Sequence, residues 1–226
     1  MKPESPINAI PPVIIALTLV IVGVECVLQL AGVGLIGGDR GIGWRVGSIQ
    51  QYGFSGAVLD RIWVNGDYSF DMLKRFLTYP FINGNLTQAA FCAALTLALG
   101  KFTAEFYGGV KIFALYVATA IAGALVFGML APNNYPLIGG FPSVYGLIGA
   151  YTYALWLNLG AMGQNQLKAF QLIAVLLGIQ LVFGLLFETG YSWIAELTGF
   201  VVGFAFSLLL APGGWAAFLG RMRERS

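Results

Sequence analysis

The chain has 226 residues, 58% of them hydrophobic and 10% charged, with a formal net charge of +2 and a mean hydropathy of +0.79. Soluble domains carry about 25% charged residues, so this balance leaves room for one helical membrane domain and none for a separate soluble one. The small charge, with no basic patch laced by aromatics, gives no nucleic-acid signal, and the total absence of histidine removes Ser-His and Cys-His nucleophile pairs, H-E-x-x-H zinc sites and histidine proton relays.

Residues 1–12 are polar and proline-containing, and are expected to form a disordered cytoplasmic lead. Residues 13–35 make the first apolar run. It is too long for a signal-peptide core and has no small-residue cleavage site behind it, so it is kept as a retained helix. Glu25 and Gln29 lie one turn apart in it, on one face. A carboxylate at that depth costs about 3 kcal/mol by insertion scales, so it should face protein or the interface. The plainer reading is a helix-end group near the far headgroups with local hydrogen bonds. Cys26 and Cys92 both fall in apolar runs and read as buried thiols, not as a disulfide or metal pair.

The only long connector is 37–75. It interleaves Asp39, Arg40, Arg45, Asp60, Arg61, Asp67, Asp71, Lys74 and Arg75 with Trp44, Tyr52, Phe54, Trp63, Tyr68 and Phe70. Mixed charge with regularly placed aromatics fits a structured loop in the headgroup zone, the alternative being an ordinary polar loop. Further apolar runs follow at 86–106, 112–130, 143–159, 169–187 and 193–211, separated by turn-rich breaks. The tail, 212–226, is basic. The expected fold is all-α, a polytopic bundle of six transmembrane helices over 13–211 with a long structured outside loop after the first.

Six spans put both termini on one side. That side carries Lys2, Lys101, Lys111, Lys168, Arg221, Arg223 and Arg225, whereas the basic residues opposite all sit in the one long loop. The positive-inside rule therefore places both ends in the cytoplasm, with a bacterial inner membrane the expected location.

Two helices carry stripes of small residues. Gly146, Ala150 and Ala154 recur at four-residue intervals in the fourth span, and Ala195, Gly199 and Gly203 do so in the sixth. Such stripes let helix backbones approach closely. If the two pair, Glu196 comes near the turn at Phe141–Ser143. Taken alone, each stripe would mean helix packing and nothing more.

At this point the chain resembles the rhomboid intramembrane serine protease family, from its first span to its sixth. That family enters its fourth helix through G-x-S-G-x-x-x-G, where the serine is the nucleophile. Its sixth helix carries A-H-x-x-G-x-x-x-G, where the histidine is the base. An H-x-x-x-x-H-x-x-x-N stretch opens its second helix and helps form the oxyanion hole. The frame fits here: residues 139–149 read G-G-F-P-S-V-Y-G-L-I-G, and 195–203 read A-E-L-T-G-F-V-V-G. The run from Arg75 to Phe81 fits the approach to the second helix, and Gly100 falls at the expected distance, with Glu105 one place late.

The chemistry does not fit. Phe141 stands at the nucleophile position and Glu196 at the base position, while Pro142 replaces the glycine after the nucleophile. Asn83 and Gln88 replace the upstream histidines, and Cys92 replaces the oxyanion-hole asparagine. Ser143 is a nucleophile only if a base activates it, and Glu196 is a poor base for a hydroxyl; otherwise Ser143 is a helix N-cap.

The resemblance therefore implies a non-catalytic pseudoprotease that admits transmembrane segments of partner proteins laterally, near its second and fifth helices, acting as adaptor, chaperone or assembly subunit within the lipid bilayer. Glu196, Gln88, Asn83, Phe141 and Ser143 are the candidate contacts, Phe141 plugging the old nucleophile site; no cofactor or metal is called for. Two alternatives are an active intramembrane endopeptidase using Ser143, and a small transporter in which Glu25 or Glu196 titrates. The transporter lacks an inverted repeat and paired broken helices. An aspartyl intramembrane protease is excluded because no aspartate lies in any span.

Overall fold

The computed structural model describes residues 10–186 and 190–210. Most of the expected N-terminal lead, the last residue of the fifth and of the sixth run, and the basic tail fall outside them. Six long helices carry the described chain: α1 (Pro12–Gly32), α6 (Leu86–Tyr107), α7 (Gly109–Leu130), α8 (Phe141–Ala161), α9 (Gln171–Leu186) and α10 (Ser192–Leu210). Between α1 and α6 the chain holds two 3-10 turns (Gly38–Gly43 and Tyr79–Phe81) and four short helices: α2 (Trp44–Tyr52), α3 (Gly56–Trp63), α4 (Phe70–Leu73) and α5 (Arg75–Thr78). No strand occurs among the described residues; one antiparallel bridge joins Phe54 to Leu137.

Helices α1, α6, α7 and α10 are each long and apolar enough to cross a membrane. Helix α8 has the length but is less apolar, for a reason of position. Every residue from 142 to 150 is buried, so this helix sees protein on most sides and carries Ser143, Tyr145, Thr152 and Tyr153 where a lipid-facing helix would carry leucine. Helix α9 is described over 16 residues, preceded by a 3-10 turn at Gln166–Phe170.

The helix starts follow local chemistry. Pro12 opens α1, where a missing N–H costs nothing. Asn85 caps α6, its side chain accepting a hydrogen bond from the Gln88 N–H at 2.8 Å. Successive helices then alternate in direction. At one end Gly109 packs beside Val13 and Pro11, and Lys111 Nζ donates to the Leu210 carbonyl at 2.9 Å. At the other end the long loop meets the 131–140 connector, and Tyr135 stands edge-on to Tyr191 with ring centroids 5.4 Å apart.

The long connector is folded, and it lies against the bundle. Val58, Leu59 and Ile62 give α3 one apolar face, buried against α7, where a Cβ added to Gly128 would sit 2.8 Å from Leu59. Phe54 and Tyr79 are fully buried, while Trp44, Trp63, Tyr68 and Phe70 stay exposed. Exposed aromatics beside apolar helix ends fit a loop at headgroup level.

Two expectations need correction. Helix α1 meets the bundle through Ile14, Leu17, Ile21, Glu25 and Leu28, a spacing of three or four residues. Cys26 falls on the opposite side and is exposed, so only Cys92 is a buried thiol. Glu25 does make its local bond, accepting from Gln29 Nε2 at 2.7 Å, but it is no mere helix-end group. Arg45 of α2 grips both its oxygens, at 2.7 and 3.0 Å.

Candidate functional site

The entry to α8 requires glycine twice. Gly139 has φ +88°, a left-handed conformation that a side chain resists, and its N–H donates to the Tyr79 carbonyl at 3.0 Å. A Cβ there would lie 2.6 Å from Gln88 Nε2 and 3.3 Å from Asn83 Oδ1. At Gly140 a Cβ would meet Cys92 Sγ at 2.7 Å, the Tyr116 hydroxyl at 2.8 Å and the Pro80 carbonyl at 3.0 Å. The three upstream positions singled out by the sequence, Asn83, Gln88 and Cys92, thus surround the two glycines. Pro142 then sits in the first turn, where its fixed φ favours the helix.

Asn83 is held from behind. It has no exposed surface, and its carbonyl accepts from Arg45 Nη1 at 2.7 Å. Its side-chain amide has no hydrogen-bond partner among the described residues. A buried amide left unpaired by protein costs about 1–3 kcal/mol. Gln88 is better served: its Oε1 accepts from the Gly84 N–H at 2.9 Å.

The two small-residue stripes meet. A Cβ on Gly199 would collide with the Pro142 carbonyl, and one on Gly203 with the Gly146 carbonyl. Gly149, outside either stripe, would collide with the backbone of α10 at Phe200. Gly146 also faces α7, with Thr119 Oγ1 only 2.5 Å from an added Cβ. Ala150 and Ala154 pack into the cluster around Leu115 and Tyr107 instead of onto α10 alone, and Ala195 is buried against α7 near Ala124. Backbone-on-backbone contact therefore locks α10 to α8 at the level of the entry turn.

That lock sets Glu196 beside Phe141. Both line a cavity of about 400 Å³ whose other walls are Leu95 and Leu99 of α6, Tyr145 and Ile148 of α8, and Leu172 and Leu176 of α9. Glu196 is 7% exposed and Phe141 half-buried. Its lining comes from α6, α8, α9 and α10. Its chemistry is one carboxylate and one phenol on apolar walls.

Ser143 is elsewhere. It is fully buried, does not line the cavity, and its hydroxyl donates to the Tyr116 carbonyl at 2.9 Å. Nor is it the N-cap: the cap position is Gly140, and no side chain caps this end of α8. The helix begins two residues earlier than the apolar run suggests, which moves Ser143 into the first turn and onto the α7 face. Tyr79 and Arg45 carry parts of this site that the sequence reading did not assign. Tyr79 binds the Gly139 N–H with its carbonyl, while its hydroxyl donates to the Ala120 carbonyl at 2.8 Å. The one signal for Arg45 was the demand of a deep Glu25 for a cationic partner.

Residues 71–213 match a family model described as "Rhomboid domain". Among known proteins, "Rhomboid-related protein 3" of Homo sapiens is 27% identical over 110 residues. That alignment covers 49% of this chain and 27% of the human protein, so the chain matches about a quarter of its relative's length.

Proposed function

This chain belongs to the rhomboid domain family of multi-pass membrane proteins, and from that premise we propose that it is a non-catalytic member that binds transmembrane helices of partner proteins, as adaptor, chaperone or assembly subunit. The observation that carries the reading is the pairing of a kept frame with lost proton transfer. The glycines that press α10 onto α8 remain, while the matching nucleophile and base positions hold Phe141 and Glu196 and the chain contains no histidine. A serine nucleophile needs a partner that takes its proton. The Ser143 hydroxyl instead donates to a backbone carbonyl, which weighs against the endopeptidase reading.

A partner helix enters between α6 and α9 and reaches the cavity at Glu196. The carboxylate has four lone-pair sites, enough to keep a bond within the bundle and accept one more. In the low dielectric of a bilayer, hydrogen bonds from a partner's polar or locally unwound segment are strengthened. Gln88, packed against Gly139, is partly exposed and supplies an amide beside the same turn, whereas Asn83 is fully buried behind it and reaches a partner only if the turn opens. Phe141 lines the cavity with Glu196, at the position the family's nucleophile would take. The basic residues Lys101, Lys111 and Lys168 lie toward the end of the bundle shared by residues 10–12 and Leu210, which supports cytoplasmic termini.

Two measurements test the reading. A serine-directed fluorophosphonate probe applied to the purified protein is expected to leave it unlabelled; labelling abolished by Ser143→Ala would restore the endopeptidase. Pull-down in mild detergent is expected to recover membrane proteins, with recovery reduced at least severalfold by Glu196→Ala. Unchanged recovery would remove Glu196 from the binding role.

A further inference from the structure

A second cavity, larger than the one at Glu196, lies away from the α8 entry, between α1 and the loop. It is a groove of about 930 Å³. Its floor is one face of α1, from Val20 through Gly23, Val24 and Val27 to Leu28. The nine residues from Val20 to Leu28 span about 12 Å along the helix axis. Its upper wall is α2 with the preceding 3-10 turn, which brings Arg40, Trp44, Ser48, Gln51 and Tyr52 to the rim. The floor is apolar; the rim is polar, aromatic and cationic.

Three observations identify the occupant. First, the rim stands at the end of a membrane-crossing helix, since Gly41 packs against the Ala31 carbonyl one residue before α1 ends. That is the level of lipid headgroups, where Trp and Tyr concentrate. Second, the Arg40 guanidinium has no hydrogen bond or ion pair with any described residue. Asp39 precedes it but does not line the groove. Arg45, its neighbour in the same loop, is by contrast committed to Glu25 and Asn83. Third, nothing lies within 4 Å of a Cβ built on Gly23, so the floor is open at its middle. A guanidinium over an apolar trough matches a phosphate over an acyl chain, and arginine's planar fork suits phosphate oxygens.

We propose that this groove is a binding site for one anionic phospholipid, its phosphate on Arg40 and its acyl chain along Val20–Leu28. The site is separate from the α8 cavity and does not depend on how that cavity is used. Bound there, the lipid joins α1 to the loop that carries Arg45.

The test uses the full chain in nanodiscs of equimolar phosphatidylglycerol and phosphatidylcholine, released into mild detergent and weighed by native mass spectrometry. The wild type is expected to retain one lipid, with phosphatidylglycerol favoured roughly fivefold, the ratio that one basic group near a charged surface supplies. Arg40→Gln is expected to bring the two headgroups to equal retention. Gly23→Leu, which fits a helix and fills the trough, is expected to lose both lipids. Arg61→Gln, an exposed cation that does not line the groove, should change neither. Equal retention of both headgroups by the wild type overturns the proposal, as does an Arg40→Gln variant that keeps the preference. A co-purifying polypeptide in place of lipid, or full retention by Gly23→Leu, overturns it too.

Discussion

A carboxylate with a 3% exposed side chain, set inside an apolar helix, must be neutralised by something, and at Glu25 the neutralising group is Arg45 from twenty residues downstream. The pair does more than cancel charge. Arg45 also binds the Asn83 carbonyl, so one guanidinium ties α1, α2 and the approach to α6 into a single joint. Removing one member of a buried pair strands the other, at a cost of about 3–5 kcal/mol. Arg45 itself is 21% exposed, which lets water reach the joint and sets the expected loss for Arg45→Ala near the lower end, about 3 kcal/mol. Adding Glu25→Leu to that variant should recover most of the loss, because no charge is then left in hydrocarbon. Thermal unfolding of both variants in the same detergent measures the difference; a double variant no better than the single one would show that the joint acts through Asn83 alone. Ser143→Ala is a milder case: it removes one buried hydroxyl and its bond to Tyr116, for about 1 kcal/mol.

Among elements, the α8–α10 pair decides the architecture of the site. Lipid tails are as apolar as leucine, so membrane helices gain little from burying leucine and associate through close backbone packing. Gly199 and Gly203 allow that approach, each lying against a carbonyl of α8. Gly203→Ala puts a methyl group into the Gly146 backbone, which cannot yield as a flexible side chain would, and is expected to lower the midpoint of thermal unfolding by several degrees and weaken the alignment of Glu196 with Phe141. Gly178→Ala on α9, where nothing lies within 4 Å, is the matched control and should be neutral. Equal effects of the two would mean that α8 and α10 are not locked here. The stripes were legible in the sequence because four-residue spacing projects directly onto one helix face. So was the nearness of Glu196 to Phe141, which follows once the stripes pair. Gly149 was not, because its role depends on the crossing of two helices and not on spacing along one. The exposure of Cys26 was hidden for a similar reason: a uniformly apolar α1 gives no periodic signal of which side meets protein. Arg45 was visible as a charge but not as a partner, since the loop's path is set by Phe54, Leu137 and Tyr79, residues far apart in the chain. Ser143 was misplaced because the apolar run begins after the helix does.

For the whole molecule the decisive quantity is the side on which each connector emerges. An even number of crossings returns the chain to its starting side, and the two ends of the bundle are distinct in composition. One gathers Lys101, Lys111 and Lys168; the other holds the folded loop and the 131–140 connector, which has no basic residue. Short basic connectors stay in the cytoplasm, so Asn134 should lie outside and Gln164 inside. Both are exposed, and single cysteines there test the assignment in a background where Cys26 is changed to alanine. Cys92 can stay, because it is buried beside Gly140. A membrane-impermeant maleimide added to intact cells is expected to label Asn134→Cys at once, and Gln164→Cys only after the membrane is opened. The reverse pattern would turn the protein over, placing the α8 entry and the mouth of the Glu196 cavity on the cytoplasmic side and changing which partners reach them. Labelling of both in intact cells would mean that α8 does not cross the bilayer, and the buried, polar character of that helix makes it the crossing most worth checking.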